Sequence, residues 1–180
     1  MPMLLVLLFG LADFARVFAA GITLEAAARN GAEAAAQEYL QVLRNKTGGL
    51  DAADYDAIHA VAIDAVCSEG ETLPNQAVSG GTCSMPVTAV CVHDGADPAC
   101  GTEAAIAPSS CPRVSEPSWN ATELGAAPGG ATPLPFVEVR VCYRFTTLFN
   151  LTNLELPFGW GVSLGEVYLE RDRQFVVANY

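Results

Sequence analysis

A stretch of 42 residues without a proline, 3–44, constrains the fold of this chain more than any other feature. It begins with the almost wholly apolar run 3–12, passes Asp13 and Arg16, and becomes rich in alanine as far as Ala36. An α-helix of this length would measure about 63 Å, so its two ends must lie in different surroundings. We therefore expect one long helix whose apolar beginning lies in lipid or in a helical bundle and whose end carries a head.

Length and composition divide the 180 residues into two parts. We expect 1–44 to form a long N-terminal transmembrane or filament-core helix, and 45–180 to form one extracellular α+β head with cysteine-rich loops. Asp13 and Arg16 cancel each other, so the net charge of −11 belongs to the part of the chain beyond them. Because so negative a surface repels phosphate backbones, we expect no nucleic-acid partner.

All the cysteines lie in the predicted head, at Cys67, Cys83, Cys91, Cys100, Cys111 and Cys142. No two of them form a CxxC pair, which argues against a zinc site and a thioredoxin-type motif, and we expect no metal and no cofactor. An even number of cysteines beyond a membrane-like segment favours three disulfides in an oxidising compartment. The sequence does not choose among the fifteen pairings, and the alternative is a set of buried free thiols in a cytosolic protein.

The two charged residues within the apolar part of the helix, Asp13 and Arg16, are three positions apart. At this spacing their side chains can meet on one helix face, and ions within a membrane are usually paired or turned towards protein. We expect a pair that packs on other helices and fixes their register. The alternative is that both residues sit at the membrane surface, on a helix with further residues upstream.

Small residues recur at every fourth position in the second half of the helix, which creates ridges with almost no side chain. The ridges are Ala27, Gly31, Ala35 and Ala28, Ala32, Ala36. Such ridges allow another helix to approach closely, although alanine also has a high helix propensity of its own. We expect these positions to form helix contacts in an assembly: Leu5, Leu8, Phe9, Asp13, Arg16, Ala27, Ala28, Gly31, Ala32 and Ala35.

A second helix is predicted after the long one. Gly48 and Gly49 are suited to a left-handed cap at the end of the first helix. Asp51 to Val66 then has the apolar spacing of a helix, with acidic residues near its positive end. We expect this second helix to pack on the sheet of the head.

The head is predicted to contain a small antiparallel sheet. Strands are indicated at 87–92, 136–145 and 160–175, and the alternation in 136–145 is typical of a half-buried strand. The sequence from Cys67 to Pro135 is otherwise mostly loop tied by cysteines. The fold class is therefore α+β, with a long N-terminal hydrophobic helix, a disulfide-tied head, a small antiparallel sheet and one additional helix.

Two segments of the first helix, 2–18 (PMLLVLLFGLADFARVF) and 23–32 (TLEAAARNGA), have a distinctive combined pattern. They resemble the N-terminal signature of TadE-like proteins, which are pilin-like components of tight-adherence pilus systems. The segments 139–145 and 156–159 are more loosely similar to the closing strands of that family. The resemblance implies a subunit that lies in the membrane before assembly and then packs with copies of itself or other pilins in an extracellular filament.

The sequence gives no support to an enzyme or to a small-molecule substrate. Residues 161–165 (GVSLG) fit the G-x-S-x-G pattern of a nucleophile elbow. That elbow requires a histidine later in the chain, whereas His59 and His93 both precede it. We therefore expect no enzymatic activity.

The expected function is that of a structural, pilin-like subunit of a cell-surface filament, assembled through its N-terminal helix. Three N-x-S/T sequons, at Asn45, Asn120 and Asn150, are candidate glycosylation sites on an exposed surface. Two alternatives stay open. One is a single-pass membrane-anchored accessory subunit, or minor pseudopilin, and the other is a surface binding module or adhesin that recognises a ligand through 67–135.

Overall fold

The computed structural model describes residues 2–79, 82–93, 135–155 and 161–177. The elements in these residues are α1 (Pro2–Asn45), α2 (Ala52–Glu69), a 3₁₀ turn (Gly70–Thr72), β1 (Ala77–Ser79), β2 (Thr82–Met85), β3 (Val87–His93), β4 (Phe136–Glu155) and β5 (Gly161–Val176). Strands β3, β4 and β5 form an antiparallel sheet in that order, and β1 pairs with β2 in a separate hairpin. The predicted α+β class is confirmed, although this hairpin lies where the sequence analysis expected loop.

The second half of α1 packs across the sheet and shares one core with it. Every second residue of β4 from Val137 to Phe145 is fully buried, and so are Leu24 and Ala35 of α1. Complete burial of a large apolar side chain contributes roughly 1.5–3 kcal/mol. The helix is therefore part of the head's core beyond Ala20, and only its first half extends away from the head.

Helix α2 packs against the small residues of α1. A Cβ placed on Gly31 would lie 2.6 Å from Val66 Cγ2 of α2 and 3.5 Å from Val139 Cγ1 of β4. Gly31 therefore lies where α1, α2 and β4 meet, and the missing side chain is what lets them meet there. We expected α2 to pack on the sheet, but it packs mainly on α1 and also contacts β3. The buried residues of α2 are Ile58, His59, Ala62 and Val66.

The start of α2 is held by reciprocal hydrogen bonds. The side chain of Asp51 accepts the backbone N–H groups of Ala53 at 3.0 Å and Asp54 at 3.2 Å. The Asp54 carboxylate in turn accepts the N–H of Asp51 at 2.8 Å. This capping box satisfies donors that the first turn of a helix leaves free, which explains why α2 begins directly after Asp51.

The end of α1 differs from the prediction. Neither Gly48 nor Gly49 takes the left-handed conformation, so the predicted glycine cap is wrong. The backbone N–H of Lys46 instead continues the helical pattern to the Val42 carbonyl at 3.1 Å. The Lys46 ammonium lies 2.7 Å from Asp51 Oδ2, and this hydrogen bond raises the pKa of Lys46 and lowers that of Asp51. The two helices are thus joined by a lysine bridge.

The sheet is buried on both faces where β3 pairs with the first residues of β4. Glu138 and Cys142 of β4 point away from α1 and are 0% exposed, as are Ala89 and Cys91 of β3. The predicted half-buried strand is therefore wrong for this stretch. The alternation that suggested a solvent face arises because polar residues form a buried charged cluster there.

One disulfide is complete within the described residues. Cys67, near the end of α2, bonds to Cys83 of β2, with Cα atoms 5.9 Å apart. This bridge ties the β1–β2 hairpin to α2, so the prediction of a disulfide-tied head is confirmed. Cys91 and Cys142 are also disulfide-bonded, and the described residues contain no free cysteine. Cys100 and Cys111 lie outside the described residues.

The register of the sheet predicts how the remaining cysteines pair. Cys91 lies opposite Glu138, four residues before Cys142 on β4, which separates the two cysteines by about 13 Å. A disulfide requires Cα atoms within about 7 Å, so these two cannot bond to each other. Peptide mapping without reduction should link Cys91 and Cys142 each to Cys100 or Cys111. A Cys91–Cys142 peptide would contradict the register.

The contact at Gly31 predicts the effect of a single methyl group. Gly31→Ala should lower the free energy of unfolding by about 1–3 kcal/mol, because the added carbon overlaps the buried Val66 side chain. Gly10→Ala in the same helix meets no atom within 4 Å and should be neutral or slightly stabilising. Denaturant unfolding of the full chain in detergent micelles compares the two. Equal stability of both variants would refute the close contact.

Candidate assembly interface

The first half of α1 presents large apolar side chains to its surroundings. Leu7, Leu11, Phe14, Phe18 and Ile22 follow at spacings of four, three, four and four residues, which places them on one helix face. Their exposed fractions run from 57% at Ile22 to 70% at Leu7. We call these five residues the apolar stripe. Because so large an apolar surface is rarely left in water, the stripe requires lipid or a protein partner.

Nearer its beginning, α1 is exposed all round. Every residue in 7–12 is exposed, including Leu8 and Phe9, whereas the side chain of Leu5 lies outside the described part. By length and composition α1 can cross a membrane. A core helix of a soluble protein passes the same criteria when it is buried, but only 17% of the apolar window here is buried. The exposure therefore favours a helix made for lipid or for a bundle.

Asp13 and Arg16 mark the level at which α1 meets the sheet. Arg16 Nη1 lies 3.2 Å from Asp13 Oδ1, and the guanidinium group lies over the Phe145 ring, 5.2 Å from its centroid. A cation over an aromatic ring contributes about 0.5–1 kcal/mol at an exposed site. The pair was expected to contact other helices, but here Arg16 contacts the sheet of its own head. It therefore orients the projecting helix on that head.

The small-residue ridges do not belong to the exposed surface. The members of the predicted assembly set that are buried inside the subunit are Ala27, Ala28, Gly31, Ala32 and Ala35. Their neighbours are α2 and the sheet of the same chain. We expected the helix of a neighbouring copy on this ridge, whereas within the subunit α2 packs on it at Gly31. The reason is that sequence spacing shows where a helix can approach but not which helix does so.

A groove of about 330 Å³ runs between the apolar stripe and β5. Phe18 of α1 and Leu169 of β5 line it, together with Glu25 and Arg171. Glu25 Oε2 is 3.6 Å from Arg171 Nε, and the same carboxylate also pairs with Arg173. Exposed pairs contribute at most about 1 kcal/mol each, but together these two join the edge strand to α1. The groove continues the apolar stripe onto the head.

A buried charged cluster lies on the far face of the sheet. Glu138 has no exposed surface, and its Oε1 lies 2.8 Å from Arg140 Nη2. Its Oε2 lies 3.3 Å from His93 Nε2. Arg140 Nε is also 3.7 Å from Asp172 Oδ2 of β5. Polar side chains of three strands therefore meet on the face opposite α1.

The cluster shifts the pKa values of its carboxyl groups in opposite directions. Burial alone would raise the pKa of Glu138, but the His93 and Arg140 side chains outweigh it and hold that pKa below its usual value. Partial burial and the charge of Glu138 raise the pKa of Asp172 to about 6. A histidine beside a carboxylate can transfer protons, and here both side chains are buried.

Neither arrangement was predicted, although each leaves a signal in the sequence. The apolar stripe is visible as a four-three-four-four spacing of large residues, whereas the predicted set named Leu8 and Phe9 from the same run. The buried cluster is visible only as Glu138 and Arg140 within a valine-rich strand, a pattern that also fits a solvent face.

The sequons are distributed unevenly over the structure. Asn45 is exposed at the last residue of α1. Asn150 lies in β4, where only the backbone is described, and Asn120 lies outside the described residues. Of the three, Asn45 is therefore the one whose accessibility to modification the structure describes.

Residues 1–33 match the family model described as TadE-like protein. The predicted resemblance is therefore confirmed for this segment, which contains the whole apolar stripe and the start of the small-residue ridges. The match and the apolar helix fit a pilin-like subunit of a tight-adherence system that is membrane-anchored or associated with a pilus. Neither the curated proteins nor the solved structures include a match to this chain.

The buried cluster predicts a pH-dependent effect on stability. The folded-state pKa of Asp172, about 6, is above its ordinary value of 3.8. Its stabilising contribution is therefore complete below that ordinary value and is lost as pH rises through about 6. Asp172→Asn should raise the free energy of unfolding relative to the parent more at about pH 7.5 than at about pH 4.5.

Denaturant unfolding of the full chain in micelles at these two pH values measures the difference. Asp64→Asn, which removes a carboxylate on α2 outside the cluster, is the control for loss of a negative charge. An effect of Asp172→Asn that is the same at both pH values would contradict the raised pKa of Asp172.

Proposed function

We propose that this chain is a structural, non-enzymatic subunit that assembles through the apolar stripe with copies of itself or with other pilins. The observation that carries the proposal is the exposure of five large apolar residues along one face of a helix that leaves the head. The spacing of the stripe is that of a helix seam, in which such residues pack into a facing helix. The family match over 1–33 supports the same function.

The energetics make this face compatible with both a membrane and a bundle of helices. Large side chains that pass from water into a helix seam contribute roughly 1.5–3 kcal/mol each. In a bilayer that driving force is absent, because lipid tails are as apolar as the stripe. The stripe is therefore stable in the membrane before assembly and is equally suited to a bundle of helices afterwards. This is the property that a subunit drawn from a membrane into a filament requires.

The head supports the same function by fixing the helix. Gly31 against Val66 holds the second half of α1, and Arg16 over Phe145 holds the point where the helix leaves the sheet. A helix fixed at two points along its length leaves the head in one direction. Copies that assemble through their helices then place their heads at defined positions on the outside. We place those heads on the extracellular side, where the disulfides are stable.

Photo-cross-linking tests the proposal directly. Benzoylphenylalanine at Phe14, in the middle of the apolar stripe, should give covalent oligomers in cells that assemble the chain. The same probe at Val61, an exposed apolar residue of α2, is the control for random collision. We expect several-fold more oligomer from position 14, because only that face meets a neighbour.

The other outcomes separate the alternatives. Lipid adducts alone at position 14, with no protein adduct, would contradict the proposed assembly and would favour a single-pass accessory or binding module. Adducts of position 14 with a different protein would identify an accessory partner. Equal oligomer yields from positions 14 and 61 would show that the stripe is not a specific interface.

A further inference from the structure

The direction of β4 follows from two of its contacts with α1. Val139 packs at Gly31, and Phe145 lies under Arg16. Movement along β4 from Val139 to Phe145 therefore leads backwards along α1, and the two elements are antiparallel. The distance from Val139 to Phe145 along the strand is about 20 Å, and the distance from Gly31 to Arg16 along the helix is about 22 Å. The two elements therefore run side by side over this length.

The strand pair continues beyond the level of Arg16. Residues 146–155 of β4 pair with 161–166 of β5, and we call these two segments the distal hairpin. Fully extended, it would be about 30 Å long. The part of α1 that precedes Arg16 measures about 21 Å. Both therefore leave the head at the same end, and the complete exposure of 7–12 shows that the hairpin does not cover the helix there.

The composition of the strands changes at the same level. The half of the strand pair that covers the head carries Glu138, Arg140, Arg144, Glu170, Arg171, Asp172 and Arg173. The distal hairpin has no charged residue in 146–154 or in 161–165, in a chain whose net charge is −11. Its register places Leu151 opposite Leu164 and Leu154 opposite Val162. The distal hairpin thus carries charge only at its two ends, at Glu155 and Glu166, whereas charged residues are frequent in the half that covers the head.

We propose that the distal hairpin lies on the lipid bilayer that α1 enters and forms a second membrane contact of the subunit. The inference rests on the proposed function in one respect, since it requires α1 to lie in a membrane before assembly. Apart from Glu155 and Glu166 at its two ends, the hairpin carries no charge, and uncharged strand segments can enter the layer of lipid headgroups and the first carbons of the acyl chains. An acidic head without such a contact would be repelled by anionic lipids.

Two features limit how deeply the hairpin enters. A two-stranded ribbon has unpaired N–H and C=O groups on both edges, and these groups are too costly to bury in hydrocarbon. The register of the hairpin also shifts between Thr146 and Leu151 and again between Leu151 and Leu154. Such irregularities bend a strand pair, so the distal hairpin can turn along the bilayer surface instead of following α1 across it.

The consequence for the subunit is a fixed orientation on the membrane. A single spanning helix lets a head rotate and tilt freely, whereas a helix and a hairpin at the same end give two points of contact. The apolar stripe of each copy is then presented in a constant direction before assembly. The contact is lost when the subunit leaves the membrane. It therefore orients the subunit before assembly and does not act in the assembled filament.

Tryptophan quenching in lipid vesicles tests this contact in the full chain. Trp119 and Trp160 are replaced by phenylalanine, and single reporters are introduced as Phe14→Trp in α1, Phe149→Trp in the distal hairpin and Phe175→Trp at the opposite end of β5. The vesicles contain phosphatidylcholine brominated near the headgroup end of its acyl chains. We expect strong quenching at positions 14 and 149 and several-fold weaker quenching at position 175, because only the first two approach the bilayer.

The outcomes separate this inference from the proposed function. Quenching at position 14 without quenching at position 149 would overturn the hairpin contact and leave membrane insertion of α1 intact. Absence of quenching at position 14 would overturn both. Equal quenching at positions 149 and 175 would also overturn it, because the head would then contact lipid without preference. Replacement of Leu151 and Leu154 by aspartate should abolish the quenching at position 149, and its persistence would likewise count against the contact.

Discussion

The close approach of α1, α2 and β4 at Gly31 is the constraint on which the rest of the structure depends. Because no side chain separates the elements there, Val66 and Val139 reach the same point on α1. This contact fixes the second half of the helix inside the head. The part of α1 that precedes Arg16 then extends away from the head as a rigid continuation of the fixed half. A helix with a large residue at this position would have no place for α2, and its exposed half would have no fixed direction.

One helix both packs inside its own subunit and presents a surface to lipid or neighbours, because the size of its side chains changes along its length. Beyond Ala20 the residues that face the core are mostly small, and the helix packs tightly against its own subunit. From Leu7 to Ile22 the exposed residues of the apolar stripe are large, and they are left for lipid or neighbours. Charges mark the transition, since Asp13, Arg16 and Glu25 all lie where helix and sheet meet. A similar division recurs in the strands, which carry no charged residue in 146–154 and 161–165, beyond the core.

Much of this architecture could be predicted from sequence, because local pattern determines it. The long helix, α2 and three strands follow from spacing and from the absence of proline, and the capping residues of α2 are explicit. What could not be predicted depends on contacts distant in sequence. The ridge at Gly31 fits any helix, and only the fold shows that α2 occupies it. Likewise the sequence pattern around Glu138 predicts a solvent-facing residue. Only the fold shows that His93 and Asp172 lie beside it.

The most direct test of this account is an electron cryomicroscopy map of assembled material sheared from cells that produce the chain. We expect neighbouring copies to meet through Leu7, Leu11, Phe14, Phe18 and Ile22, while α2 remains in place over Gly31 within each copy. A map in which a neighbour's helix has displaced α2 from Gly31 would contradict it. So would assembled material in which the apolar stripe faces solvent.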